Sequence, residues 1–452
     1  MARDCEGFSR RDFIKVGSAG LLGLTLPQLL QFENKAQAQG RGTEVGNGRG
    51  RANNVIMVWL AGGPATIDMW DLRPNAPEGI RGEFREIDTS APGIRICEHL
   101  PQMARVMDRT TVVRSLAHTI PSHGPATVFM TTGNRPTPAI QYPAMGSLVT
   151  RLMPAAPGVP PYVTFSELRN GSAGQAGFLG TAYNPFIVEG TPNAPAAAGR
   201  NSPTANNLRV RGITLPTGFT LEQLENRDRL LRTFDEGFES VDRNADLVGG
   251  LDAFHQQALE ILRSDKTRVA FDLTREPETL RQRYGQTPFG QCALAARRLI
   301  EAGVRFTTVS IGGWDTHSQT FNAHRTRLLP QLDQVLSALI SDLDDRGMLE
   351  NTIVYCAGEF NRTPRINQNS GRDHWARSMA VVLAGGGFRR GYVHGSTDTQ
   401  GMAPATEPCT PDDICSTVFT QLGIDPHTEL QTSTGRPIQL FREGRAIPRL
   451  IG

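Results

Sequence analysis

Val55-Ile56-Met57-Val58-Trp59-Leu60-Ala61-Gly62-Gly63-Pro64 is an unbroken apolar run followed by a glycine-rich turn. A run of that kind reads as a strand buried on both faces, as in a parallel sheet covered by helices. The pattern returns at residues 304–311 before Gly312-Gly313, at 352–357 before Gly358, and at 379–384 before Gly385-Gly386-Gly387. Between two of these strands Leu328, Leu332, Val335, Leu336, Leu339, Ile340 and Leu343 recur at helical spacing, and Arg346-Gly347 stops the helix. Strand, helix, strand in that order predicts an α/β fold, a parallel-rich central sheet sandwiched by helices. Residues 220–302 read as mostly helical, with Gly303 at a helix C-cap. Residues 154–216, rich in Pro, Gly, Asn and Ala, contain short β-like pieces at 162–165 and 186–188 and are expected to form an insertion over the sheet, or a lid.

The 452 residues are 38% hydrophobic and 20% charged, with 47 Gly and 30 Pro, a globular composition leaning toward loops. Lys and Arg (47) nearly balance Asp and Glu (45), and no window holds a run of about five or six like charges. Nucleic acid and anionic membrane are therefore not expected partners.

Ser9-Arg10-Arg11-Asp12-Phe13-Ile14-Lys15 opens the chain, a weakly apolar stretch follows from Gly17 to Leu30, and Ala36-Gln37-Ala38 offers a cleavage triplet. The pattern resembles a twin-arginine export signal. Pro27 and the short apolar stretch fall below the roughly 20 residues that span a bilayer, so no stable membrane anchor is expected. The expected organisation is a signal over residues 1–38, a linker over 39–52, and one α/β domain over 53–452 carrying the insertion at 154–216. Removing the signal leaves Cys97, Cys292, Cys356, Cys409 and Cys415, enough for two disulfides at most, with Cys409 and Cys415 nearest in sequence. Export of an already folded chain weakens the argument for either, and no C-x-x-C suggests a zinc ribbon or a redox site.

In open α/β sheets ligands bind beyond the carboxyl ends of the strands. Asp68 and Asp71 follow the first strand, Trp314-Asp315-Thr316-His317 the second, Glu359 and Arg362 the third, and Arg372-Asp373-His374-Trp375 lies past a loop. Carboxylates and imidazoles gathered at one edge are the ligand types of hard and borderline divalent metals. Each also has a plainer reading, as a turn-capping acid for Asp68, Asp71, Asp315 and Glu359, or a loop ion pair with Arg372 or Arg377 for Asp373. Residues 117–127, containing Ser122, His123 and Thr127, follow a short strand and read as the start of a helix, which is either an anion site supplying a nucleophile or ligand or simply a capped helix.

These motifs carry a resemblance. Gly-Gly-Pro-x-x-x-Asp at 62–68, His-Gly-Pro-Ala with a downstream Thr-Gly, residues 296–304, Trp-Asp-Thr-His, Gly-Glu-Phe-x-Arg-Thr-Pro and Gly-Arg-Asp-His-Trp together resemble the bacterial family called domain of unknown function 1501. The layout is similar, more distantly, to the alkaline phosphatase and sulfatase superfamily. That resemblance implies a nucleophile near Ser122 and His123, an Asp-and-His position at Asp315 and His317, a paired position at Glu359-Phe360, and a last His at His374. The departures are Ala61-Gly62-Gly63 where an Asp belongs, Phe360 where a His belongs, and no Cys-x-Pro-x-Arg to become formylglycine. An ordinary sulfatase is excluded.

The expected function is an exported metal-dependent hydrolase of phosphate or sulfate esters, acting on a small-molecule or glycan ester in the periplasm or outside the cell. Asp315, His317, Glu359, His374 and Asp68 are the expected ligands of a divalent metal (zinc, calcium or manganese), and Ser122, His123 and Asp373 the expected catalytic residues. The alternative is an envelope binding or scaffold protein without turnover. The twin-arginine translocase is the expected export partner. Changing Arg10 and Arg11 to Lys should leave the precursor inside the cytoplasmic membrane on cell fractionation; undiminished export of that double variant would refute the signal.

Overall fold

The computed structural model describes residues 50–166, 168, 174–189, 209–210, 260–261 and 264–452. The signal, nearly all of the linker, and residues 220–259 and 262–263 of the expected helical stretch 220–302 lie outside the described residues. Among the described residues nine strands make the main sheet: β1 (Asn54–Leu60), β2 (Thr110–Leu116), β3 (Tyr162–Thr164), β4 (Phe186–Glu189), β5 (Arg209–Val210), β6 (Phe306–Ile311), β7 (Thr352–Ala357), β8 (Met379–Ala384) and β9 (Tyr392–His394). Their order across the sheet is β9-β2-β8-β7-β1-β6-β3-β4-β5.

The opening apolar run is the centre of this sheet. β1 pairs in parallel with β6 and with β7, Val58 standing between Val309 and Cys356. Alternate side chains then serve two cores. Val55, Met57 and Trp59 face α1 (His123–Thr132), α2 (Met145–Leu152) and α5 (Pro411–Gln421), while Ile56, Val58 and Leu60 face α3 (Pro288–Ala302) and α4 (Leu329–Asp345). Burial on both faces is what made the run continuous rather than alternating. Gly303 ends α3 and Gly133 ends α1 in the left-handed conformation, and Gly347 follows α4 in the same region.

One expectation changes. The run at 379–384 shares the pattern of its neighbours, yet β8 runs antiparallel to both β2 and β7. Its glycine turn therefore lies at the far edge of the sheet, and the residues before β8 reach the edge where β1, β6 and β7 end. The described part of 154–216 adds three strands to the sheet. β3 and β4 continue it in parallel beyond β6, and β5 closes it antiparallel.

No disulfide joins the five described cysteines, all of which are buried. Cys409 Sγ faces Ser115 and Cys415 Sγ faces the carbonyl of Met130, so the pair nearest in sequence is turned to different neighbours. Burial pushes the Cys409 thiol up to about 12. Among the described residues no helix is long and apolar enough to cross a membrane.

Candidate metal centre

Four segments meet where β1, β2, β6 and β7 end. Gly62 adopts a positive φ there, and a Cβ on it would collide with the backbone nitrogen of Asp315, so the β1 turn can approach the β6 turn only as glycine. Gly371 makes a second close approach, to the carbonyl of His317, which brings the segment before β8 alongside.

Asp315 lies at the centre. Its Oδ1 is 3.1 Å from His317 Nε2 and 3.3 Å from His374 Nε2, and these two nitrogens are 3.0 Å apart. On the other side Asp315 Oδ2 is 3.2 Å from His123 Nε2, a buried nitrogen that makes no hydrogen bond. Among the described residues, His123, Asp315 and His374 offer donor atoms that all lie within 4.8 Å of one another.

The remote nitrogen of each ring faces an oxygen. His123 Nδ1 is 2.6 Å from Glu359 Oε1, His317 Nδ1 is 2.8 Å from Asp373 Oδ1, and His374 Nδ1 is 2.9 Å from the carbonyl of Pro121. Carbonyl and ionised carboxylate oxygens only accept, so each Nδ1 carries a proton, and a cation at the centre would meet the lone pair of each Nε2 in place of a second proton. Lone pairs on two nitrogens 3.0 Å apart repel unless a proton or cation lies between them. Neighbouring donors around an ion held at about 2.1 Å stand a little over 3 Å apart, and imidazoles held by an oxygen at the far nitrogen are the usual form of a metal-binding histidine. The donors present fit a divalent metal.

Charge at the centre is set by Arg362. Its fully buried guanidinium donates to Asp315 Oδ1 at 2.6 Å, to the Gly63 carbonyl at 2.7 Å and to the Gly62 carbonyl. Burial pushes the Asp315 carboxyl up, but Arg362, His123 and His374 outweigh it and hold the group well below the usual carboxylate range. The hydrogen bond from His317 likewise holds Asp373 down. Burial keeps His374 below its usual range. Phe360 is fully buried and packs its ring 4.9 Å from that of His123 and 4.5 Å from that of His374.

The expected site residues divide accordingly. Asp315, His317 and His374 come together, and His123, expected to be catalytic, joins them with its lone pair. Glu359 was expected as a ligand; its Oε1 instead receives His123 Nδ1 and the Gly62 amide, at 2.6 and 2.9 Å. Asp68 also stands apart as a ligand candidate, because both of its oxygens are bound to buried Arg372 at 2.7 Å. Asp373 supports His317 from behind. Ser122 is the exposed residue before α1 and its side chain makes no capping bond. Asp71 binds Arg73 and Thr397. Sequence reasoning named Arg362 among the polar residues past the third strand but gave it no role, and it did not reach the Pro121 carbonyl, since a backbone carbonyl leaves no signal.

The family model described as "Protein of unknown function (DUF1501)" matches residues 52–451. The chain belongs to this family. No curated protein matches it. Among solved structures, this DUF1501 chain is similar to the PsFucS1 sulfatase from Pseudoalteromonas sp., with TM-score 0.37 and 11% identity over 88% of this chain and 70% of that one. It is similar also to the phosphonate monoester hydrolase SpPMH from Silicibacter pomeroyi, with TM-score 0.34 and 9% identity over 88% and 76%. A protein in the alkaline phosphatase superfamily from Vibrio parahaemolyticus gives TM-score 0.36 and 12% identity over 84% and 69%.

Two stability measurements follow from the geometry. Asp68→Asn leaves the Arg372 guanidinium buried without its carboxylate, and urea denaturation should show a loss of about 3–5 kcal/mol. His118, beside the site, is buried between the Ile120 amide and the Glu359 carbonyl, and burial pulls it down to about 4. The unfolded chain binds that proton at its ordinary pKa, so stability falls as pH drops through the window between the two values. The slope is about 1.4 kcal/mol per pH unit. His118→Gln should flatten that part of the profile; an unchanged slope between pH 6 and about 4.5 would contradict the assignment.

Proposed function

We propose that the chain is a divalent-metal-dependent hydrolase of phosphate or sulfate esters that works in the periplasm or outside the cell. The observation that carries the reading is the convergence of three imidazole Nε2 atoms on one carboxylate, each ring held from behind by an oxygen. His123, Asp315, His317 and His374 would hold the ion. A nitrogen-rich set with a single carboxylate suits zinc or manganese better than calcium. Bound there, such an ion supplies a Lewis acid for an ester oxygen.

The chain's own residues hold the donors. Glu359, Asp373 and the Pro121 carbonyl fix the tautomer and rotation of the rings, and Arg362 keeps Asp315 ionised and aimed. The Phe360 ring closes the side of the cluster between His123 and His374, so the donor set ends there and serves one ion. Exposed His317 and Asp373 form the open side, from which a small-molecule or glycan ester would enter. Ser122, exposed and next to His123 in the chain, would be the attacking hydroxyl. The second reading, a binding protein without turnover, keeps the same cluster and differs only in kinetics.

Metal analysis of the exported protein should find one equivalent of a transition metal, with hydrolysis of p-nitrophenyl phosphate or p-nitrophenyl sulfate that chelation abolishes and the metal restores. Asp315→Ala should purify without metal, and Asp373→Asn should bind it about 10–100-fold more weakly. Protein free of metal after native export would end the metal reading; metal without hydrolysis of either ester would leave the binding protein.

A further inference from the structure

The segments that carry the metal donors also carry arginines without a carboxylate. Arg135 donates to Thr119 Oγ1 at 3.1 Å and lies 4.9 Å over the ring of Phe129, beside the stretch that leads into His123. The guanidinium of Arg327 packs against Gly313, two residues before Asp315. Arg377 lies 5.7 Å over the ring of Trp375, the neighbour of His374. Trp375 is itself held by a 3.0 Å bond from its indole nitrogen to the Met402 carbonyl.

All three arginines are exposed. None is within ion-pair distance of an acidic group among the described residues, whereas Arg73, Arg95, Arg109, Arg325 and Arg346 all are. Each of the three is nonetheless placed by a second contact, a ring face or a closely packed glycine, rather than left to wander. Guanidiniums held against Thr119, Gly313 and Trp375, each within four residues of a donor, make a positive rim along those segments, and the acids at the centre are already engaged by His and Arg. Such a rim exceeds what a single reacting ester needs, because the charge of that group falls to the donor cluster itself.

We propose that the substrate is a polyanion, an ester whose reacting sulfate or phosphate group is flanked by further sulfate or phosphate groups that bind Arg135, Arg327 and Arg377. This rests on the reading of the site as an ester hydrolase and names its substrate class. Planar guanidiniums bind such oxyanions in a forked geometry, and each contact releases counterions, so affinity depends steeply on salt.

The test is binding of fluorescein-labelled dextran sulfate and of labelled polyphosphate to the metal-loaded protein by anisotropy over a series of salt concentrations, with labelled neutral dextran as the reference. The triple variant Arg135→Gln, Arg327→Gln, Arg377→Gln is compared with Arg51→Gln, Arg389→Gln, Arg390→Gln, which removes the same charge at the opposite edge of the sheet. The rim variant should lose at least about tenfold in affinity, with a salt slope lower by roughly one per arginine, while the opposite-edge variant stays near wild type. Single variants of the three exposed arginines serve if the triple fails to fold, and metal content reports an intact centre.

Preference for dextran sulfate over polyphosphate, or the reverse, identifies the anion. Equal losses in the two triple variants, or wild-type binding of dextran sulfate and polyphosphate no tighter than of neutral dextran, would overturn the proposal. Metal-dependent hydrolysis without polyanion preference would remove this inference and leave the hydrolase; polyanion binding lost with the rim in a protein that turns over no ester would do the opposite.

Discussion

One guanidinium holds the working edge of this protein together. Arg362 is fully buried, and its nitrogens reach the carbonyls of Gly62 and Gly63 after β1, the carboxylate of Asp315 after β6, and the carbonyl of Arg372 ahead of β8. A buried guanidinium with any of these partners missing would be a large liability, so the loops have to converge if the chain is to fold at all. A lysine could not replace it, since an ammonium concentrates its donors on one atom while the planar fork reaches several directions at once. Arg372 repeats the device one layer deeper. It joins Asp68 to the carbonyls of Thr363 and Ile80, and so anchors the loop whose end presents Asp373 and His374.

The reversed direction of β8 completes the arrangement. Parallel strands deliver residues to this edge only from their carboxyl ends, as β6 does for Asp315 and β7 for Glu359. An antiparallel strand brings the residues that precede it, and His374 arrives in that way. Every donor pairing except that within 315–317 therefore spans more than fifty residues of sequence. The centre cannot form before most of the sheet has assembled, because its closure entropy is recovered only by the long-range pairings.

Local pattern explains what could be read from the sequence and what could not. Apolar runs beginning at Val55 and Thr352 are dense enough to mark buried strands, and the glycines after them mark the edge where Asp315, His317 and His374 collect. Periodicity is silent on strand direction, so residues 379–384 looked like their parallel neighbours. It is equally silent on second-rank roles. Whether Glu359 meets an ion or the back of an imidazole depends on one ring rotation, and exchanging it with His123 leaves every spacing unchanged. Arg372 adjoins Asp373 in sequence, which suggested a loop pair; its partner is Asp68, 304 residues away, and only burial shows why.

The five described cysteines are all buried and none is bonded to another. While the fold holds, oxidants meet no accessible thiol among them, and the described residues owe nothing to a cross-link that a reducing compartment would prevent. Loss of the fold in an oxidising compartment has a different outcome. Five newly exposed thiols would begin to pair with one another, and each wrong pair would bar the way back through the sheet. For such a protein durability is a matter of how rarely it opens rather than of how favourably it refolds, and selection would act on the unfolding barrier.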